Sequence, residues 1–410
     1  DAGGAVTTGI NNTFIGGLVG DAITTAANNV AVGKSALSAS SGDNNTAIGS
    51  GALNVTTAAN NTAVGKDALG ANTTGADNTG VGKGALASNT TATGNTAVGQ
   101  SALDTNTTGA SNSAFGVNSL DDNTEGANNT AVGHSSLANN TTASNNTAVG
   151  FQSLLTNTTG TYNTAVGYNA LSTTATTSAN TALGYNAGTA NVGTENTFIG
   201  YEAGGNVTSG GTNTFLGFHA GHYQNAVTTG SDNTVVGAYA RTSSATVTGE
   251  LVIGRFALGQ GASTGTLGLS GTGVSIPFNG STTAWSAHSD ERLKENIVDS
   301  TAGLSFINDL RPITYNWKSK KDISTEFVNY YDADSDEPVQ GQVKQTNHGF
   351  IAQEIKATID AHPEIKEGHS IWRESPDGVQ NVADGALIPM LVKAIQELSA
   401  EVETLKSQIG

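Results

Sequence analysis

A five-residue pattern close to Asn-Thr-Ala-Val-Gly returns fifteen times, with its first residue at 12, 29, 45, 61, 78, 95, 112, 129, 146, 163, 180, 196, 213, 233 and 250. The spacing is 16 or 17 residues, with a single step of 20 and with Glu250 replacing Asn in the last copy. A unit this short cannot bury an apolar face alone, so the coils have to stack into a solenoid, about 70 Å long at the usual strand spacing. Three residues after the marker the side chain is always apolar, from Ile15, Val32 and Ile48 through to Val236 and Ile253. This column is expected to be the interior. Eight residues after the marker most copies place Leu, as in Leu37, Leu86 and Leu171, a second interior column that predicts a second short strand in each coil. The fourth residue past the marker is Gly in every copy, as needed where the chain turns sharply or a backbone passes close. The residue before the apolar column is mostly Ala or Gly, which suits close approach of neighbouring chains and points to a homotrimer.

The composition fits a repeat better than an ordinary globule, with 36% apolar residues and 53 Gly in 410. Up to His288 there are five basic and thirteen acidic residues, and from Ser289 onward twelve and twenty-one, so both parts are net negative. This argues against nucleic acid or an anionic membrane surface as partner. No run of about 18 apolar residues is present, so no membrane insertion is expected, and the opening DAGGAV does not have the form of a signal peptide. The chain has no Cys.

The chain divides into a solenoid over 1–258, a Gly/Ser/Thr-rich connector over 259–288, and an ordinary folded composition over 289–410. In the last part, Leu304 to Lys318 predicts a helix ended by Pro312 and then a strand, and HGFIAQEIKATI predicts a strand running into a helix. Ile388, Leu391, Ile395, Leu398, Val402, Leu405 and Ile409 step by three and four, the seam of a coiled coil over 386–409 that joins identical chains. The expected fold is mainly β: a parallel β-roll solenoid followed by an α+β domain ending in a coiled-coil helix.

The NTAVG coils resemble the β-roll head repeats of trimeric autotransporter adhesins, whose coils are slightly shorter, and related sections of phage fibres. The ordered motifs SDERLKENI, LRPITYNW, GFIAQEI and LIPMLVKAIQEL resemble the C-terminal intramolecular chaperone domain of phage tail spikes and fibres, including endosialidase spikes. That resemblance implies a domain that drives trimerisation of the fibre ahead of it and then cuts itself off. It implies a Ser-Lys pair at Ser289 and Lys294 cutting the His288–Ser289 bond, with no turnover of an external substrate. The chemistry is coherent, because a Lys whose pKa falls on desolvation can take the Ser proton, whereas Arg292 stays protonated. Residues five apart diverge on a regular helix, so a turn between them is required.

Two weaker signals lie in the solenoid. His219 and His222, in FHAGHY, are a candidate metal pair, but with no carboxylate nearby in the sequence they read as surface decoration, and no metal or cofactor is expected. Five residues after the marker, earlier coils carry Lys34, Ser50, Lys66, Lys83, Gln100 and His134, but five successive coils then carry Phe151, Tyr168, Tyr185, Tyr201 and Phe218. These rings either form an exposed ladder that binds a host receptor or glycan, or turn inward to refill a core that loses its Leu to Gly at 188, 204 and 221. The leading expectation is an extracellular, virion-borne tail or surface fibre, joined to other virion proteins at its N-terminal end. The alternatives are a bacterial surface adhesin with the same chaperone and a glycan-hydrolysing tail spike.

Overall fold

The computed structural model describes the chain except for residues 1, 223–225, 271, 279–285, 288, 290, 327–330, 341–344, 366–368, 376–377 and 410. Each marker opens one three-residue strand, from β1 (Thr13–Ile15) and β2 (Val30–Val32) to β14 (Thr234–Val236) and β15 (Leu251–Ile253). Every strand pairs in parallel with the next, residue for residue, as Thr13 with Val30 and Ile15 with Val32. One strand per coil is found among the described residues, not two. The Leu column sits instead in a turn.

The interior differs from the expected one. The apolar column three past the marker faces outward, with Ile15 60%, Leu183 48% and Ile253 38% exposed, whereas the small residue before it, such as Ala31, Ala97 or Ala165, is fully buried. The reason is the pleat of a three-residue strand, which sends alternate side chains to opposite faces. The inside of a 17-residue coil has room only for the small one. The marker Asn is buried too, and its side chain forms the spine of the solenoid. In each pair the next coil's backbone N–H donates to the Asn Oδ1, as Asn45 to Asn29 at 2.8 Å and Asn95 to Asn78 at 2.9 Å. Its Nδ2 donates to a loop carbonyl, as Asn78 to Ala92 at 2.8 Å. Burying an amide is tolerated only when its hydrogen bonds are made, and here the period makes them. A second ladder runs beside it, with Asn106 Nδ2 donating to Asn89 Oδ1 at 2.9 Å and Asn123 to Asn106 at 2.7 Å. Glu250 ends the first spine by accepting the N–H groups of Ser243 and Gly261, at 2.9 and 2.6 Å.

The repeated Gly has φ between 127° and 146° in all fifteen copies, and a Cβ on Gly99 would lie 2.4 Å from the carbonyl oxygen of Gly116 in the next coil. Both the turn and the stacking therefore exclude a side chain. Nine leucines, from Leu37 to Leu171, adopt left-handed φ of 49–54° and are fully buried. That conformation costs about 1–2 kcal/mol for a non-Gly residue, which burial of a Leu side chain offsets at about 2 kcal/mol. Where Gly188, Gly204 and Gly221 replace Leu, the backbone is left-handed without that cost, and the vacated space is filled by Phe198 and Phe215 at the normally small inward position. A Cβ on Gly204 would fall 2.2 Å from Phe198 Cδ1, and one on Gly221 2.4 Å from Phe215 Cδ2. The aromatic column that starts at Phe151 does not do this filling.

Beyond β15 the sheet continues through the connector. Strand β16 (Thr264–Leu269) pairs in parallel with β15, β17 (Thr272–Pro277) turns back antiparallel, and β18 (Ser286–Ala287) pairs with β17.

The chain forms two compact units, Asp1–Ser289 and Asp290–Gly410. In the second, α1 (Leu304–Asn308) stops ahead of Pro312, and β19 (Ile313–Tyr315) pairs antiparallel with β20 (Asn347–Gly349), which leads into α2 (Ala352–Ala361). A hairpin of β21 (Trp372–Glu374) and β22 (Gln380–Val382) precedes the long α3 (Ile388–Ile409). Phe306, Ile355, Ile359, Ile371 and Leu387 make the core. Glu397 of α3 accepts the N–H of Leu304 at 2.7 Å and so caps α1, which holds its carboxyl below the usual range. The seam of α3 is bare in the single chain, with Ile388, Leu391, Ile395, Leu398, Val402, Leu405 and Ile409 all exposed.

Candidate functional site

Ser289 is exposed at the end of the first unit. A 3-10 turn, Glu291–Leu293, lies between it and Lys294, whose N–H donates to the Glu291 carbonyl at 3.0 Å. Lys294 is exposed as well, and the other side of the expected scissile bond, His288, lies outside the described residues. Further on, His362 bridges two acids, with Nε2 2.9 Å from Asp309 Oδ2 and Nδ1 2.8 Å from Glu364 Oε1, while its ring meets Phe306 edge-on. Those two hydrogen bonds, Asp309 first, raise its pKa above the ordinary imidazole value.

Residues 289–362 match the family described as chaperone of endosialidase. This stretch is a chaperone-of-endosialidase domain, placed after a solenoid of fifteen coils. No curated protein and no solved structure matches the chain. Among the described residues, no helix is long and apolar enough to cross a membrane.

On the solenoid, Phe151, Tyr168, Tyr185, Tyr201 and Phe218 are 39–44% exposed. Successive rings stack at 5.0–5.2 Å with interplanar angles of 9–15°, and His134 extends the stack at 5.4 Å from Phe151. The coil spacing sets this separation, because the five positions are equivalent in consecutive coils. One face of flat rings results, its edges and outer rims open to solvent.

At the foot of the stack the structure brings together three residues that the sequence separates. Glu202 and His219 occupy the same position of consecutive coils, and His222 follows three residues later. Glu202 Oε2 lies 3.3 Å from His219 Nδ1 and 3.4 Å from His222 Nε2. The carboxylate that was missing near the two histidines is thus supplied from 17 residues upstream. Burial lowers the His222 pKa, against the pull of Glu202, and raises that of the Tyr201 hydroxyl, which the charge of Glu202 and a hydrogen bond to it raise further. Comparing equivalent positions of successive coils is the signal that would have found the group.

Proposed function

We propose that this chain is the subunit of a homotrimeric, extracellular phage tail or virion-surface fibre that binds a host receptor or glycan. The solenoid is its shaft, attached to other virion proteins at the N-terminal end. The C-terminal domain drives trimerisation and then removes itself by Ser289–Lys294 cleavage of the His288–Ser289 bond. The observation that carries this reading is a pair of outward-facing apolar stripes, one of exposed and half-buried side chains three residues past each marker of the solenoid and one exposed along α3, in a chain with a chaperone-of-endosialidase domain. An outward-facing apolar line of this length marks an interface, and association of identical chains through each stripe would cover it.

The same reading accounts for an exposed Lys294. A lysine in water is a poor base, so Ser289 becomes a nucleophile only when neighbouring protomers exclude water from the pair. Cutting is then delayed until assembly. Expression of wild-type chain beside Ser289→Ala and Lys294→Ala tests this by denaturing electrophoresis and sequencing of the new terminus. Wild type yields a released fragment beginning at Ser289, and both variants stay full length as trimers by light scattering. A cut elsewhere, or undiminished cutting in both variants, sinks the proposal.

A further inference from the structure

We infer that Glu202, His219 and His222 form a binding site for a divalent transition ion of the zinc class, with one coordination position open. Two imidazoles and one carboxylate are the donor set that such ions select, whereas magnesium and calcium take oxygen ligands. The geometry is close to what the ion needs. Metal–ligand bonds of about 2.0–2.1 Å in a tetrahedron put donor atoms about 3.4 Å apart. Glu202 Oε2 stands 3.3 and 3.4 Å from the two ring nitrogens, and the three donor atoms lie within 4.8 Å of one another.

The surroundings hold this arrangement in place. The three side chains are only 19–25% exposed, so the ligands are largely shielded from solvent. His219 stacks on Tyr239 at 5.4 Å and meets Phe218 edge-on at 4.3 Å, which fixes the plane of its ring. Its Nδ1 is hidden from solvent and makes no hydrogen bond of acceptable geometry, although Glu202 is near. An ion resolves that deficit. Gly205 leaves the space that His222 uses, since a Cβ there would fall 2.8 Å from its Nδ1. Glu202 belongs to the coil that starts at 196, and both histidines to the next, which is the single coil of 20 residues. The ion therefore clamps the long coil to its neighbour.

The test uses the full chain, freed of metal by chelation, then titrated with zinc chloride by calorimetry and loaded with cobalt for visible absorption. One zinc per chain is expected, with a rise in melting temperature of about 5 °C at zinc a hundredfold above Kd, and an intense four-coordinate cobalt spectrum. Glu202→Gln and the double variant His219→Ala/His222→Ala weaken binding by about a hundredfold or more, while His134→Ala does not. Their melting in chelator is compared with wild type, so that a folding defect is seen separately, and Glu202→Gln, which keeps the side-chain shape, stands if the double variant fails to fold. Absence of zinc binding by wild type, binding unchanged in Glu202→Gln, or equal response to magnesium overturns the site.

Discussion

Asp104 and Asp121 occupy the same position in consecutive coils, so the stacking that aligns the asparagine amides also aligns two carboxylates. Burial raises the Asp121 pKa to about 6, and the charges of Asp104 and Asp122 push in the same direction. The folded state then binds the proton more tightly than the unfolded one. Its favourable contribution is complete below the unfolded value of about 3.8, and is lost as pH rises through about 6. Asp121→Asn, the residue that another coil already carries at this position as Asn54, is therefore expected to stabilise at pH 7.5 and to change nothing at pH 3.5. Solvent screening of a half-buried group keeps the gain on the order of 1 kcal/mol. Thermal melts of both proteins across that range check it, and a gain that is equal at both ends contradicts the assignment. Such a residue was not legible in the sequence, where Asp121 and Asp122 read only as part of a polar loop. Nor was the marker Asn recognisable as core, since its burial depends on partners 16 or 17 residues away. Glu202, His219 and His222 were hidden for the same reason: their proximity exists only between coils.

At the scale of the coil, the period, the Gly turn and the buried Leu column were plain in the sequence, while inside and outside were assigned in reverse along the strand. Large apolar residues normally mark a core, but on the strand the narrow coil takes Ala inside, beside the Leu of the turn, and turns Val, Ile or Leu outward. The Phe198–Gly204 and Phe215–Gly221 pairs show the same limit from the other side, because a ring enters only where the Leu leaves. Position also separates these rings from the exposed stack. Replacing a buried Phe by Ala costs about 3–5 kcal/mol, whereas a stacked surface ring contributes about 0.5–1.5 kcal/mol. Tyr168→Ser with Tyr185→Ser, which leaves Tyr201 beside Glu202 untouched and places the residue found at Ser50, is expected to lower melting only slightly and to abolish binding to host cells or their glycans. Binding at wild-type strength would remove the stack from the receptor site, and loss of the trimer in light scattering would assign the rings to the interface instead.

For the whole molecule, the difficulty is register. Each solenoid strand is three residues long and pairs with another more than a dozen residues away, so a free chain folds slowly and exposes sheet edges and its apolar stripe meanwhile. Fifteen nearly equivalent coils also offer a trimer many ways to align one chain against another with an offset of a whole coil. The coils alone do not distinguish among these. The second unit can, because α3 has a seam of seven apolar residues with a defined start, and its own core of Phe306, Ile355 and Ile359 does not repeat. In the proposed trimer, three copies docking through α3 would bring the shafts together in register before the stripes close. A gene ending at residue 288 is therefore expected to give insoluble or polydisperse product, whereas the same 288-residue shaft, released from a trimer by cleavage after assembly, remains trimeric, since the closed stripes then hold it. Size-exclusion chromatography with light scattering compares the two. Native, soluble trimer from the truncated gene would show that the shaft finds its own register, and dissociation of the released shaft would show that its stripe is not the contact that holds the fibre.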